Sequence, residues 1–154
     1  LRCLVGSEMC IRDSVLHEDY LMRMFLMMAS SIRESMEKAR GGEDPQAAAD
    51  RLDSTLEGAT DFDGSLLLQM TPESMAAMMK LSNPNPAVMG YVTRALMLSS
   101  RYLRQAGQGA QADLRAGQAK AVSQAFGLGV TEEDLDPQAL EEFFEETVEA
   151  EKGK

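Results

Sequence analysis

Few side chains in this chain are suited to chemistry: one histidine, His17, two cysteines, Cys3 and Cys10, and paired carboxylates near the end, Glu141-Glu142 and Glu145-Glu146. General acid/base catalysis needs positioned groups of tuned pKa, and a zinc site needs three or four convergent donors. The spacing offers neither. The carboxylates lack the central glycine of a calcium loop and a Glu-x-x-His companion. His17 stands beside Glu18 and Asp19 without a second histidine, which fits a residue of a helix start better than a ligand. The cysteines have no second pair or nearby histidine. Gly127-Leu128-Gly129 has no preceding strand that would make it a phosphate loop, and no nucleophile elbow occurs. No catalytic, cofactor-binding or metal-ligating residue is therefore assigned, and the chain reads as a non-enzyme.

A second group of side chains is suited to binding. Arg94, Met97, Arg101 and Arg104 recur at helical spacing, and between Ser74 and Val130 six basic residues face a single acid, Asp113. Guanidinium groups so arrayed can grip carboxylates in a bidentate way. Three occupants are open for this face: solvent, the chain's own acidic C-terminal helix, and an external acidic peptide. The methionines offer a further surface. Met22, Met24, Met27, Met28, Met75, Met78 and Met79 could form an adaptable groove or fill a core, and core packing is the first expectation because any bundle produces such stripes.

These residues must be positioned by helices. The 154 residues suit one domain, and a hydrophobic content of 44% can build one core. Four places pair a capping residue with a first-turn proline: Asp44-Pro45, Thr71-Pro72, Asn85-Pro86 and Asp136-Pro137. Each sets a helix start, and together they predict an all-α, compact array of antiparallel helices. Val15 to Ala39 carries Leu21, Phe25, Met28, Ile32 and Met36 on one helical face. Helices are expected from Pro45 to about Gly58, over Ser65–Met70 and over Pro72–Leu81. The clearest tertiary signal is Pro86 to Phe126, two helices folded back through Gly107-Gln108-Gly109. Val88, Val92, Ala95, Leu96, Tyr102 and Leu103 form the buried face of the first. Ala112, Ala116, Ala119, Val122 and Phe126 form a small-featured stripe on the second, which predicts bulky-against-small packing. Thr131–Asp134 reads as a capping box before the last helix, with Leu140, Phe143, Phe144 and Val148 on one side.

Charge bounds the partners. The net charge is −10, and from Thr131 onward ten acidic and two basic residues concentrate most of it in the tail. General attraction to nucleic acid or an anionic membrane is not expected. The longest apolar run, Tyr20 to Ala29, falls short of the ~20 residues needed to span a bilayer.

Three resemblances add to this reading. Leu1 to Ser14, LRCLVGSEMCIRDS, resembles translated linker or adapter sequence, which implies a non-native leader, with the native chain beginning near Val15. The 86–126 hairpin resembles a tetratricopeptide-type repeat through its small residues Ala112 and Ala119, its glycine turn and its length near the ~34-residue period. Leu96 and Ser100 stand where that family has tryptophan and glycine. The segment Asp19–Met24 resembles the opening helix of a family of small bacterial proteins of unknown function, which implies a bacterial helical protein. The expected organisation is a leader over 1–14, a helical domain over 15–130 and an acidic C-terminal helix over 131–154. The expected function is a cytoplasmic protein-interaction module that binds a peptide or partner helix along Arg94, Met97, Arg101 and Arg104. A structural, self-associating protein whose apolar first helix, Leu21 to Ile32, packs on its own copy is the alternative. A nucleic-acid regulator resting on the local basic region comes third.

Overall fold

A computed structural model of the chain describes residues 2–41, 44–60 and 63–153, with side chains from residue 19 onward. The side chains of Cys3, Cys10 and His17 lie outside the described residues. Among those residues there are seven α-helices and no strand: α1 (Arg2–Arg40), α2 (Pro45–Ala59), α3 (Gly64–Leu67), α4 (Pro72–Leu81), α5 (Pro86–Gln105), α6 (Gly109–Ala125) and α7 (Pro137–Lys152). A 3-10 turn over Glu132–Leu135 precedes α7. The fold is all-α.

The helix starts follow from local chemistry. Asp44 accepts from the Gln46 N–H at 3.0 Å, Thr71 from the Ser74 N–H at 3.3 Å and Asn85 from the Ala87 N–H at 2.9 Å. Each satisfies a backbone donor that the first helical turn cannot, and is worth about 1 kcal/mol. Asp63 does the same for α3, accepting from the N–H and hydroxyl of Ser65. Asp136 departs from the pattern. It is the N-cap of α7, but its side chain makes no capping bond, and its own N–H closes the preceding 3-10 turn on Glu133. The cap box survives one step earlier, where the Asp134 carboxylate accepts from the Thr131 N–H at 2.7 Å.

α5 is the centre of the molecule. It packs against α6, α2, α1 and the 3-10 turn; α4 lies on α6, and α7 lies on α1. The turn into α6 uses Gly107 at φ +82°, a left-handed conformation that a side chain would disfavour. The α5 face expected to be buried is buried, from Val88 to Leu103. Tyr91, Thr93, Leu98 and Ser99, on other sides of the same helix, are fully buried as well. α5 is thus enclosed nearly all round, and beyond its first residue, Pro86, only Arg101, Arg104 and Gln105 are exposed along it. Four of the seven clustered methionines, Met24, Met28, Met75 and Met79, are buried in the core.

The second hairpin helix departs from bulky-against-small packing at one point. Ala112, Ala119 and Val122 are buried, but Ala116 is exposed. A methyl group at that height of the hairpin does not reach across to α5, so a hollow opens there. Gly117, beside it, has a separate reason to be small: a Cβ would come within 2.9 Å of the Pro72 ring at the start of α4.

Candidate functional site

The hollow over Ala116 is a groove of ≈ 330 Å³ between α5, α6 and the segment 129–132. Its floor is Met97, Ala116, Ala119 and Val130, and Lys120, Gln124 and Glu132 stand at its rim. A neighbouring hollow of ≈ 450 Å³ shares Met97, Ser100, Ala116 and Glu132 and extends to Arg101, Arg104 and Gln105. Local bonds fix the walls. The Ser100 hydroxyl donates to the Ala112 carbonyl at 2.7 Å, and the Ser123 hydroxyl accepts from the Val130 N–H at 3.3 Å.

Three of the four residues picked from the sequence, Met97, Arg101 and Arg104, meet in this pair of hollows. Both arginines are engaged within the chain. Arg101 donates to Glu132 at 2.9 Å and Arg104 to Asp113 at 2.9 Å. These side chains are between 42% and 76% exposed, so each pair contributes little, about 0–1 kcal/mol, and can exchange with an incoming carboxylate at small cost. Lys120 has no ion-pair partner among the described residues.

Arg94 goes elsewhere. Its guanidinium lies 3.6 Å from the centroid of the Phe143 ring on α7, and Nη1 donates to the Gly90 carbonyl at 3.1 Å. Its Nε is buried with no hydrogen-bond partner among the described residues. Burial lowers its pKa from the ordinary arginine value, against the attraction of Asp134, Tyr91 and Glu146. Gly90 makes this arrangement possible, because a Cβ there would come within 2.8 Å of the Phe143 ring. Glycine inside a helix costs about 1 kcal/mol relative to alanine, and here it leaves room for an aromatic ring.

That ring belongs to a second assembly which the sequence did not single out. Tyr91 is stacked between Phe25 of α1, at 5.4 Å, and Phe144 of α7, at 5.6 Å, with Phe143 tilted against it at 4.7 Å. The Thr147 hydroxyl donates to the Phe144 carbonyl, so it accepts from the Tyr91 hydroxyl at 2.5 Å. Burial raises the Tyr91 pKa, and the bond to Thr147 opposes that rise. Arg33 of α1 makes two 2.7 Å bonds to Glu141 and lies over the Phe144 ring. The same pairing raises the Arg33 pKa and lowers that of Glu141.

A third polar cluster is buried. Arg115, counted in the sequence with the basic region, turns inward and binds both oxygens of Asp53, at 3.3 and 3.0 Å. Its Nη1 donates to the Leu68 carbonyl at 2.7 Å, Ser99 donates to Asp53 at 2.8 Å, and Gln118 donates to the Leu68 and Met70 carbonyls. The cluster ties α2, α5 and α6 to the segment leading into α4.

Among the described residues, no three His, Cys, Asp or Glu side chains are placed to hold a metal ion. No helix among them is long and apolar enough to cross a membrane. Compared with known proteins, the chain matches no protein-family model, no curated protein and no solved structure.

Proposed function

We propose that this protein is a helical interaction module, with a tetratricopeptide-like hairpin at α5 and α6, that holds a short peptide segment of a partner protein in the groove beside Met97. The observation that carries this reading is the groove itself: an apolar floor set between exchangeable arginine pairs and an unpaired lysine. An apolar side chain of the peptide fits over Met97 and Ala116, and an acidic one meets Arg101, Arg104 or Lys120. Binding, rather than catalysis, suits a site whose charged groups are exposed cations and the exposed carboxylates they pair with. We assign its work to a bacterial cytoplasm, on the resemblance of Asp19–Met24 and a body without cysteine after Cys10.

The test is peptide capture from a displayed random library, followed by titration of the recovered peptides. Recovered sequences should pair an apolar residue with acidic ones, and Met97→Glu with Arg101→Glu and Arg104→Glu should abolish binding in a chain that keeps its helical circular dichroism. Equal affinity for that folded variant would remove the groove from the reading.

A self-associating protein is the second reading, supported by Tyr20, Leu26 and Met27, which are 51%, 52% and 45% exposed on α1. The stripe from Leu21 to Ile32 packs into this chain's own core, so these outward residues would carry the contact. Sedimentation across a hundredfold concentration range separates the two, since a strict monomer excludes this second reading.

A further inference from the structure

We infer that the face of α1 and α5 beneath α7 is a binding groove for an acidic amphipathic helix of a partner protein, and that α7 is its occupant in cis. This site shares none of its contacts with the hollow beside Met97, so the two stand or fall separately.

The seat is built for a helix of a particular kind. Leu140, Phe143, Phe144, Thr147 and Val148 recur at i, i+3, i+4, i+7 and i+8, the anchor pattern of a helix laid in a groove. Phe143 enters the space left by Gly90, and Phe144 stacks on Tyr91. The charge is complementary: Arg33 takes a carboxylate at the start of the helix, while Glu142, Glu145, Glu146 and Glu149 line its solvent side.

Three observations make α7 an exchangeable occupant. First, of its sixteen residues only Leu140 and Phe144 are buried apolar anchors, with Phe143 and Val148 partly buried beside them, so few fully buried contacts hold the helix. Second, its ion pair is open to water, with both side chains 47% exposed, and can be made equally well by another carboxylate. Third, α7 leaves part of the seat unused. Arg94 is desolvated against Phe143, its Nε has no acceptor, and no carboxylate is bonded to it. A helix with an additional acid one turn before the residue that fills the Gly90 slot would satisfy Arg94 and bind better than α7. The chain leading to α7 passes through Gly127 and Gly129, both in left-handed conformation, which helical residues cannot replace without strain. α7 is therefore set off from α6 by a sharp turn.

The experiment uses the full chain and a fluorescein-labelled peptide with the sequence of residues 136–153. A tethered α7 competes at an effective concentration of the order of millimolar, so the wild-type chain should bind the peptide weakly. Phe143→Ala with Phe144→Ala in the chain vacates the seat and should tighten binding by roughly 10-fold or more. Adding Arg33→Glu to that chain should weaken it by about 10-fold, and a peptide with Glu141→Arg should recover the loss. A peptide with Ala139→Glu should bind several-fold more tightly, a gain that Arg94→Met removes. The chain with Arg33→Glu alone, which keeps both aromatic anchors, gives a second measurement should the double-alanine chain fold poorly: it should prefer the Glu141→Arg peptide over the wild-type one. No binding by either folded chain, or binding indifferent to the charge exchange, overturns the proposal. A concentration-dependent dimer of the wild-type chain that Phe143→Ala with Phe144→Ala abolishes, and that Tyr20→Ser with Leu26→Ser leaves intact, overturns it too, by assigning the seat to α7 of a second copy.

Discussion

Removing the carboxylate of Asp53 tests whether the buried cluster around Arg115 holds the helices together. The Arg115 side chain is 9% exposed and that of Asp53 19%, so Asp53→Ala leaves a guanidinium largely out of water with two donors unpaired, and Ser99 without its acceptor. Breaking one partner of a buried pair costs about 3–5 kcal/mol. Partial water access to Asp53 favours the lower end, about 3 kcal/mol, a large share of the ~5–15 kcal/mol that holds a typical domain folded. In a chain of this size that is a fall in melting temperature of roughly 6–12 °C. Urea unfolding followed by circular dichroism at 222 nm reads the loss directly. Asp53→Leu with Arg115→Met should recover most of it, because no charge is then left unpaired. Gln118 keeps its own bonds to the Leu68 and Met70 carbonyls, so the segment before α4 stays anchored in the double variant. A loss below 1 kcal/mol for Asp53→Ala, or a double variant no more stable than the single one, would refute the view that pairing, rather than packing, makes Asp53 matter.

Other consequences follow from the same geometry. Gly64→Ala should destabilise by about 2–3 kcal/mol in urea unfolding, because its Cβ would overlap the Glu57 Cα at 2.2 Å, whereas Gly58→Ala, with nothing within 4 Å, should stabilise α2 by about 0.5 kcal/mol. Glu141 has its pKa lowered by Arg33, so its contribution is fully present above the ordinary carboxylate range and is lost as pH falls through the lowered value. Hydrogen exchange of α7, corrected for intrinsic rates, should show protection declining toward acid in the wild type by no more than about 1 kcal/mol, and a pH-independent, lower protection in Glu141→Gln. The phenols of Tyr91 and Tyr102 have pKa values raised by burial, so their contribution is present below the unfolded value near 10 and is lost as pH rises through the raised values. Absorbance at 295 nm should show two phenols ionising above the free tyrosine range, and Tyr91→Phe should remove one of them.

The helix starts were legible because capping is chemistry between neighbours in the chain: Asp44, Thr71 and Asn85 act on N–H groups two or three residues on. The α5/α6 hairpin was legible for a related reason, a glycine turn between two long periodic segments. The central position of α5 was not. The spacing of apolar residues along one helix marks its most apolar face, but Thr93 and Ser99 are buried too, satisfied by the Met89 carbonyl and by Asp53, and a polar side chain with a buried partner looks like a solvent-facing one in sequence. Gly90 is a sequence signal for the α7 seat: a glycine inside a strong helix needs a reason, and the reason is a ring 53 positions away.

The basic region shows why charge counting along a chain misplaces a binding site. Of the six cations between Ser74 and Val130, Arg115 is neutralised by Asp53, Arg101 by Glu132 and Arg104 by Asp113, while Arg94 and Lys80 lie over the rings of Phe143 and Phe126. Two of the three carboxylates come from outside the window, so the local excess of positive charge falls from five to three once the helices meet. What distinguishes these cations is exposure. Arg115 cannot leave its partner without stranding a buried charge, and its role is to fix helices. Arg101 and Arg104 hold theirs in water and lose little on exchanging them. Arg94 lies between these extremes, desolvated but bonded to no carboxylate. A cation in that condition favours any arrangement that brings it one, which is why it marks the face under α7 and not the open groove as the place where an acidic helix gains most.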